Sequence, residues 1–162
     1  MDEKTITVGN FIRSYLIDHI GEIKKLYPYE SFLLISCGIE FLGKCINRRD
    51  WHESGHSGAD FNTAIRAFPS LSKYEKEDLY SKVRCGLCHA FQVKEGMLLS
   101  NLETEDAVSV DEFYEAFKSA CETLLENSDY CDLLEKDFFN IKEESGVSIT
   151  GNTDASFSSY VS

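Results

Sequence analysis

The chain lacks the features that would export it or anchor it in a lipid bilayer. Its opening, MDEKTITVGN, has neither a basic n-region nor an apolar h-region, so the expected compartment is the cytoplasm. No apolar run reaches the ~20 residues that a membrane helix requires. The longest, from Ser31 to Ile46, is interrupted by Glu40 and Lys44, and no membrane partner is expected. No second Cys-x-x-Cys accompanies the one at Cys85 and Cys88, so half the ligands of a four-thiolate zinc site are missing. Six cysteines without an export signal are expected to be reduced thiols, most of them serving the core as small hydrophobes. No internal repeat is apparent. Basic residues are scarce at the C-terminal end: thirteen Lys/Arg balance thirteen Asp/Glu from Met1 to Ser100, whereas three face fifteen from Asn101 to Ser162. The net charge of -12 therefore arises in the last third, and the first hundred residues keep room for a locally basic surface.

What is present reads as an all-α chain. One domain is expected over residues 1–142, with 143–162 a disordered polar tail whose small residues cannot offset ordering entropy. Ile12, Leu16, Ile20, Ile23 and Tyr27 repeat at helical spacing behind an Asn10 cap, until Pro28. From Ser31 to about Asn47 the apolar residues surround the helix axis, which predicts a central helix buried on most sides. Arg48 to Gly58 reads as a loop, and a short helix is expected from Ala59 to Phe68, before Pro69. Capping boxes at Ser72/Glu75 and Ser109/Glu112 predict helices from about Lys73 to Phe91 and from Ser109 onward, the second with Phe113, Ala116, Phe117, Ala120, Cys121 and Leu124 facing the core. A small hairpin is expected between them, pairing Gly96–Ser100 with Ala107–Val110. A last helix is expected from about Asp129 to Lys142.

Arg84-Cys85-Gly86-Leu87-Cys88-His89 satisfies two unrelated patterns. As Cys-x-x-Cys-His it is the attachment signature of a c-type haem, which needs an exported protein. As a redox dithiol it lacks the flanking strand-helix-strand pattern. The remaining reading is Arg-x4-His, a fixed cation and a titratable base late in a helix.

On Arg84 and His89, within LYSKVRCGLCHAF, and on the expected four to five helices with a buried second one, the chain resembles the HEPN superfamily, the small helical nucleotide-binding domains of higher eukaryotes and prokaryotes. The resemblance covers Ile6 to about Lys142. It implies a HEPN-like bundle and a metal-independent endoribonuclease of the toxin or phage-defence type, with no cofactor, acting as a homodimer whose paired motifs line one cleft. RNA or a nucleotide, and an antitoxin or other protein, are the partners it implies. The alternative is a catalytically inactive nucleotide-sensing or protein-interaction module, favoured by Cys85, where catalytic relatives usually carry a polar residue, and by the acidic last third.

Residues five apart on a helix are offset by ~140° and ~7.5 Å, so Arg84 and His89 of one chain do not share a face. Two copies about a two-fold axis would bring each arginine to the other chain's histidine, with Gly86 permitting close approach. In such a site His89 would be general acid or base, since an imidazole ordinarily titrates near ~6.5. Arg84 would stabilise charge on the phosphate. The bland reading is that the pair merely holds the helix end.

Arg48, Arg49 and Trp51 form a basic-aromatic cluster suited to gripping phosphate or stacking a base. His52 and His56 could join Cys85 and Cys88 around zinc, but a His pair in a Gly-Ser loop is not fixed on a helix face, and no metal is expected. Glu40, inside the apolar helix, needs a partner, and Arg84 is a candidate.

Overall fold

Thr7 decides where the first helix starts. Its Oγ1 accepts the backbone N–H of Asn10 at 3.3 Å, so the cap expected at Asn10 is supplied by Thr7 instead. The computed structural model describes residues 3–94, 96–101 and 107–142; the C-terminal tail expected at 143–162 lies outside the described residues. Strand β1 (Glu3–Thr7) leads into α1 (Val8–Phe11), a π-helical stretch (Ile12–His19) and α2 (Ile20–Leu26), which follow one another without a break. Val8, Ile12, Leu16 and Ile20 are buried along this rod, whereas Ile23 of the expected periodic set is half-buried and Tyr27 is exposed.

Pro28 stands in the first turn of α3 (Pro28–Asn47), where its missing N–H costs nothing and its fixed φ suits the helix. The helix packs against α2, α4 (Ser57–Ala67), α6 (Val110–Glu126) and the π-helical segment Tyr80–Cys85. Phe32, Ile35, Ile39, Leu42 and Cys45 are buried, so the helix apolar on most sides is the central one. Its crossing with α4 is a backbone contact: a Cβ on Gly43 would stand 1.8 Å from the Asp60 carbonyl oxygen. Only glycine permits that approach.

The expected long helix from Lys73 to Phe91 is broken. Ser72 Oγ donates to the Pro69 carbonyl and the Glu75 carboxylate accepts from Arg66 Nε at 3.1 Å, so neither half of the capping box reaches a helix terminus. Ser72–Tyr74 forms one 3-10 turn, Asp78 adopts a left-handed conformation (φ 50), and helix resumes only at Tyr80–Cys85 and α5 (Gly86–Ala90). By contrast α6 begins as its pattern predicts and buries Phe113, Ala116, Phe117, Ala120, Cys121 and Leu124, although Ser109 makes no capping bond and its Oγ is buried without a partner. Asp111 and Glu112 in the first turn favour that end through the helix dipole.

Two expectations about strands fail. The segments around Gly96 and Ala107 meet only as β2 (Leu99–Ser100) beside β3 (Val108–Ser109), and they run parallel, not as a hairpin. Two residues per strand carry too little pattern to set an orientation. After a 3-10 turn (Ser128–Tyr130) and α7 (Cys131–Leu134), the expected last helix gives way to β4 (Asp137–Lys142), antiparallel to β1. The run Phe138-Phe139-Asn140-Ile141 has strand propensity, and β1 supplies the partner that a lone segment lacks. The described residues are thus mostly helical, with β1 and β4 joined in a short ladder. Its buried residues form one cluster from Val8 to Leu133. No helix among the described residues is long and apolar enough to cross a membrane.

Candidate functional site

The motif straddles the junction between the π-helical segment and α5. Val83 and Leu87 are buried in the core, and that anchoring decides where their neighbours point. Arg84 is turned to α3, where its Nε and Nη2 both reach Glu40 Oε2 at 3.0 Å. The two side chains are only 18% and 14% exposed, and the guanidinium carbon lies 5.9 Å from the Tyr80 ring centroid. Burial, the largest single influence, would lower the guanidinium's pKa, but Glu40 together with the neighbouring Cys37, Cys88 and Tyr80 groups outweighs it and the pKa is raised, so Arg84 stays charged. The polar residue that looked out of place in an apolar helix therefore has the expected partner.

His89 lies elsewhere. Its exposed imidazole lines an open hollow of about 670 Å³ together with Ser81, Lys82, Gln92 and Lys94, and Arg84 is not among the lining residues. The five-residue offset thus separates the pair within one chain. Lys94 Nζ donates to Ser81 Oγ at 3.2 Å. Among the described residues no carboxylate forms an ion pair with Lys82 or Lys94, although Asp78 lines the same hollow. The hollow carries two ammonium groups, an imidazole and one carboxylate. Lys82 had a readable signal, since a residue seven before His89 returns to nearly the same helix face.

Gly86 is committed within the chain. It is buried, and a Cβ there would lie 2.4 Å from the Gln92 carbonyl oxygen. Its role is to let the chain fold back over the end of α5, not to admit a second helix. The carbonyls of Gly86 and Leu87 accept from the N–H groups of Gln92 and Phe91, and Phe91 takes the left-handed conformation (φ 53) that ends the helix.

No family model, curated protein or solved structure matches this chain. Its geometry is therefore read from its own residues.

The basic-aromatic cluster is dispersed. Arg48 binds the Asp132 carboxylate at 2.8 Å and the Asp129 carbonyl at 2.6 Å. Arg49 Nε binds Asp60 Oδ1 at 2.8 Å, where Asn47 also donates at 2.7 Å; Asp60 is fully buried, and its Oδ2 has no partner. Trp51 stacks on Phe41 with ring centroids 5.1 Å apart, and Phe138 stands edge-on to both at 5.2 Å. The arginines are thus tied to carboxylates on two different elements and Trp51 to a third set of groups, so the three do not form one phosphate grip. Among the described residues no three His, Cys, Asp or Glu gather closely enough to hold a metal ion, and His56 pairs with Glu53 at 3.0 Å. The cysteines depart from expectation: all six are free, but only Cys45 and Cys121 are buried, while Cys37, Cys88 and Cys131 are exposed.

Proposed function

We propose that this chain is a HEPN-like endoribonuclease of the toxin or phage-defence type, cleaving RNA without a metal, as a homodimer, with His89 moving the proton. The observation that carries the reading is the exposed imidazole on the wall of an open hollow beside Lys82 and Lys94. The two lysines attract phosphate. In the reaction the RNA 2'-oxygen forms a bond to the adjacent phosphorus and the bond from phosphorus to the 5'-oxygen breaks. His89 takes the 2'-hydroxyl proton while water protonates the leaving 5'-oxygen, or it supplies that proton while water takes the one from the 2'-hydroxyl. Lys82 offsets the charge that builds on the phosphoryl oxygens, a role the sequence alone assigned to Arg84. Arg84 acts from the opposite face, fixing the motif helix to Glu40. A homodimer is supported by Phe91, which is 81% exposed at the end of that helix, and by exposed Tyr29, whose hydroxyl donates to the Phe91 carbonyl.

The Arg84–Glu40 pair favours a second reading, a catalytically inactive nucleotide-sensing or protein-interaction module. An arginine already neutralised has little left to offer a transition state. Incubation of the purified protein with labelled RNA in EDTA separates the two. Cleavage leaving cyclic-phosphate ends is expected, reduced on the order of 10²-fold or more in His89→Ala with an unchanged melting temperature. If wild type cuts none of the RNAs offered, the ribonuclease reading falls. Light scattering should give about twice the monomer mass, and Phe91→Ser should lower it.

A further inference from the structure

We infer that a second cavity, bordered by Glu40, is a binding site for a small aromatic carboxylate. It is an open cleft of about 480 Å³, and its lining includes Glu40, Phe41 and Lys44 from α3, Trp51 and His52 from the following loop, and Phe138 from β4. That volume lies within the range of small-molecule sites, which pair apolar walls with a few placed polar groups. Glu40, Phe41 and Lys44 stand at i, i+1 and i+4, close together on one side of α3. Strand β4, paired with β1, brings Phe138 against Phe41 and Trp51.

The chemistry of the occupant follows from which groups are already committed. Phe41, Trp51 and Phe138 are each only partly buried, so the ring cluster keeps open surface for a planar ligand to stack or abut. The Glu40 carboxylate is paired through Oε2 with Arg84 at 3.0 Å. Lys44 is different. Its Nζ donates to the carbonyls of Trp51 at 3.2 Å and Glu53 at 3.0 Å, and among the described residues it has no ion pair. An ammonium carries three N–H donors, so Lys44 keeps one donor and its whole charge. Exposed His52 adds a second nitrogen group at the rim. An aromatic wall ending in one uncompensated cation selects an aromatic ring with an anionic head, in which the ring meets the cluster and the carboxylate meets Lys44.

Trp51 is the only tryptophan in the chain, so intrinsic fluorescence reports occupancy directly. Benzoate, benzamide, benzylamine and cyclohexanecarboxylate would be titrated into the full chain, with calorimetry as the second readout. Benzoate should change the emission saturably with Kd on the order of 0.1–1 mM. The neutral and cationic analogues should bind at least about tenfold more weakly, and the non-aromatic acid more weakly as well. Lys44→Met should weaken benzoate about tenfold or more while the circular dichroism spectrum is kept, and Lys44→Arg should retain binding. The inference is overturned if benzoate gives no saturable signal up to about 10 mM, if benzamide binds as well as benzoate, or if Lys44→Met binds benzoate normally. Should Lys44→Met fail to fold, the wild-type analogue series and Lys44→Arg decide the matter. None of this depends on RNA cleavage by His89, which the ribonuclease assay tests separately.

Discussion

Replacing Arg84 by methionine removes the charge and keeps most of the stem, which isolates the ion pair with Glu40. Breaking a buried pair costs roughly 3–5 kcal/mol because a desolvated charge is left alone, whereas exposed pairs contribute about 0–1. Here the side chains are 18% and 14% exposed, so the pair is neither fully buried nor fully solvated, and the expected cost lies between those limits at about 2 kcal/mol. In a chain of this size that is a fall of about 4–8 °C in melting temperature. Glu40→Leu should cost less, since the longer Arg84 can swing toward solvent along the Tyr80 ring. The double variant should be no worse than the Arg84→Met single, because an apolar pair no longer strands either charge. Urea unfolding at one fixed protein concentration, followed by circular dichroism, closes the double-mutant cycle with a coupling of about 2 kcal/mol. High salt should leave most of that coupling, since part-buried pairs are weakly screened. A coupling below about 0.5 kcal/mol, or an Arg84→Met variant as stable as wild type, would refute the claim that Arg84 is held structurally. In that case loss of RNA cleavage in the same variant would return the arginine to a direct role.

Three further outcomes follow from the packing. Gly43→Ala should cost roughly 3 kcal/mol or more, because its Cβ meets backbone of α4 at 1.8 Å and no rotamer can relieve that; a thermal melt unchanged from wild type would contradict the described crossing. Gly86→Ala should lower the melting temperature through its clash with the Gln92 carbonyl instead of dissociating a stable fold, and light scattering alongside a melt distinguishes the two. At pH 8 iodoacetamide should label Cys88 and Cys131 but spare Cys45 and Cys121, since burial pushes the Cys45 thiol up to about 12 and the Cys121 thiol up as well. Because these folded thiols resist ionisation while unfolded ones ionise near ~8.5, their contribution to stability is full below that pH and is lost as pH rises toward 12. Equal labelling of Cys45 and Cys131, read by mass spectrometry, would refute the burial.

The elements legible in advance were those whose signals are local and whose partners are any apolar surface. Helices α3 and α6 carry ten or more residues of unambiguous pattern, and nothing in the tertiary structure opposes it. The Ser72 capping box failed because its two side chains found better partners nearby, the Pro69 carbonyl and Arg66. A capping box is a local offer that any adjacent donor or acceptor can outbid. The β1–β4 ladder failed for the opposite reason. Pairing Thr5 with Asn140 is a contact between residues far apart in sequence, which no window of neighbouring residues contains.

The candidate site divides along the same line. Glu40 was readable because a carboxylate in an apolar helix must be paired, and the chain offered Arg84; the ion pair follows from desolvation with no knowledge of the fold. The hollow at His89 was half readable, since Lys82 shares its helix face while Lys94 reaches it only through the fold-back over Gly86. Gly86 itself was misassigned, because a missing Cβ shows that something comes close without showing what. Here it is the next turn of the same chain, so any dimer must be built on side chains that remain outside, with Phe91 foremost. That residue holds a left-handed conformation that costs a branched or bulky side chain about 1–2 kcal/mol, yet 81% of it faces solvent. The bonds that this conformation sets at the end of α5, to the Leu87 carbonyl and from the Tyr29 hydroxyl, offset the strain within one chain, and the exposed ring is left free for the second copy of the proposed homodimer.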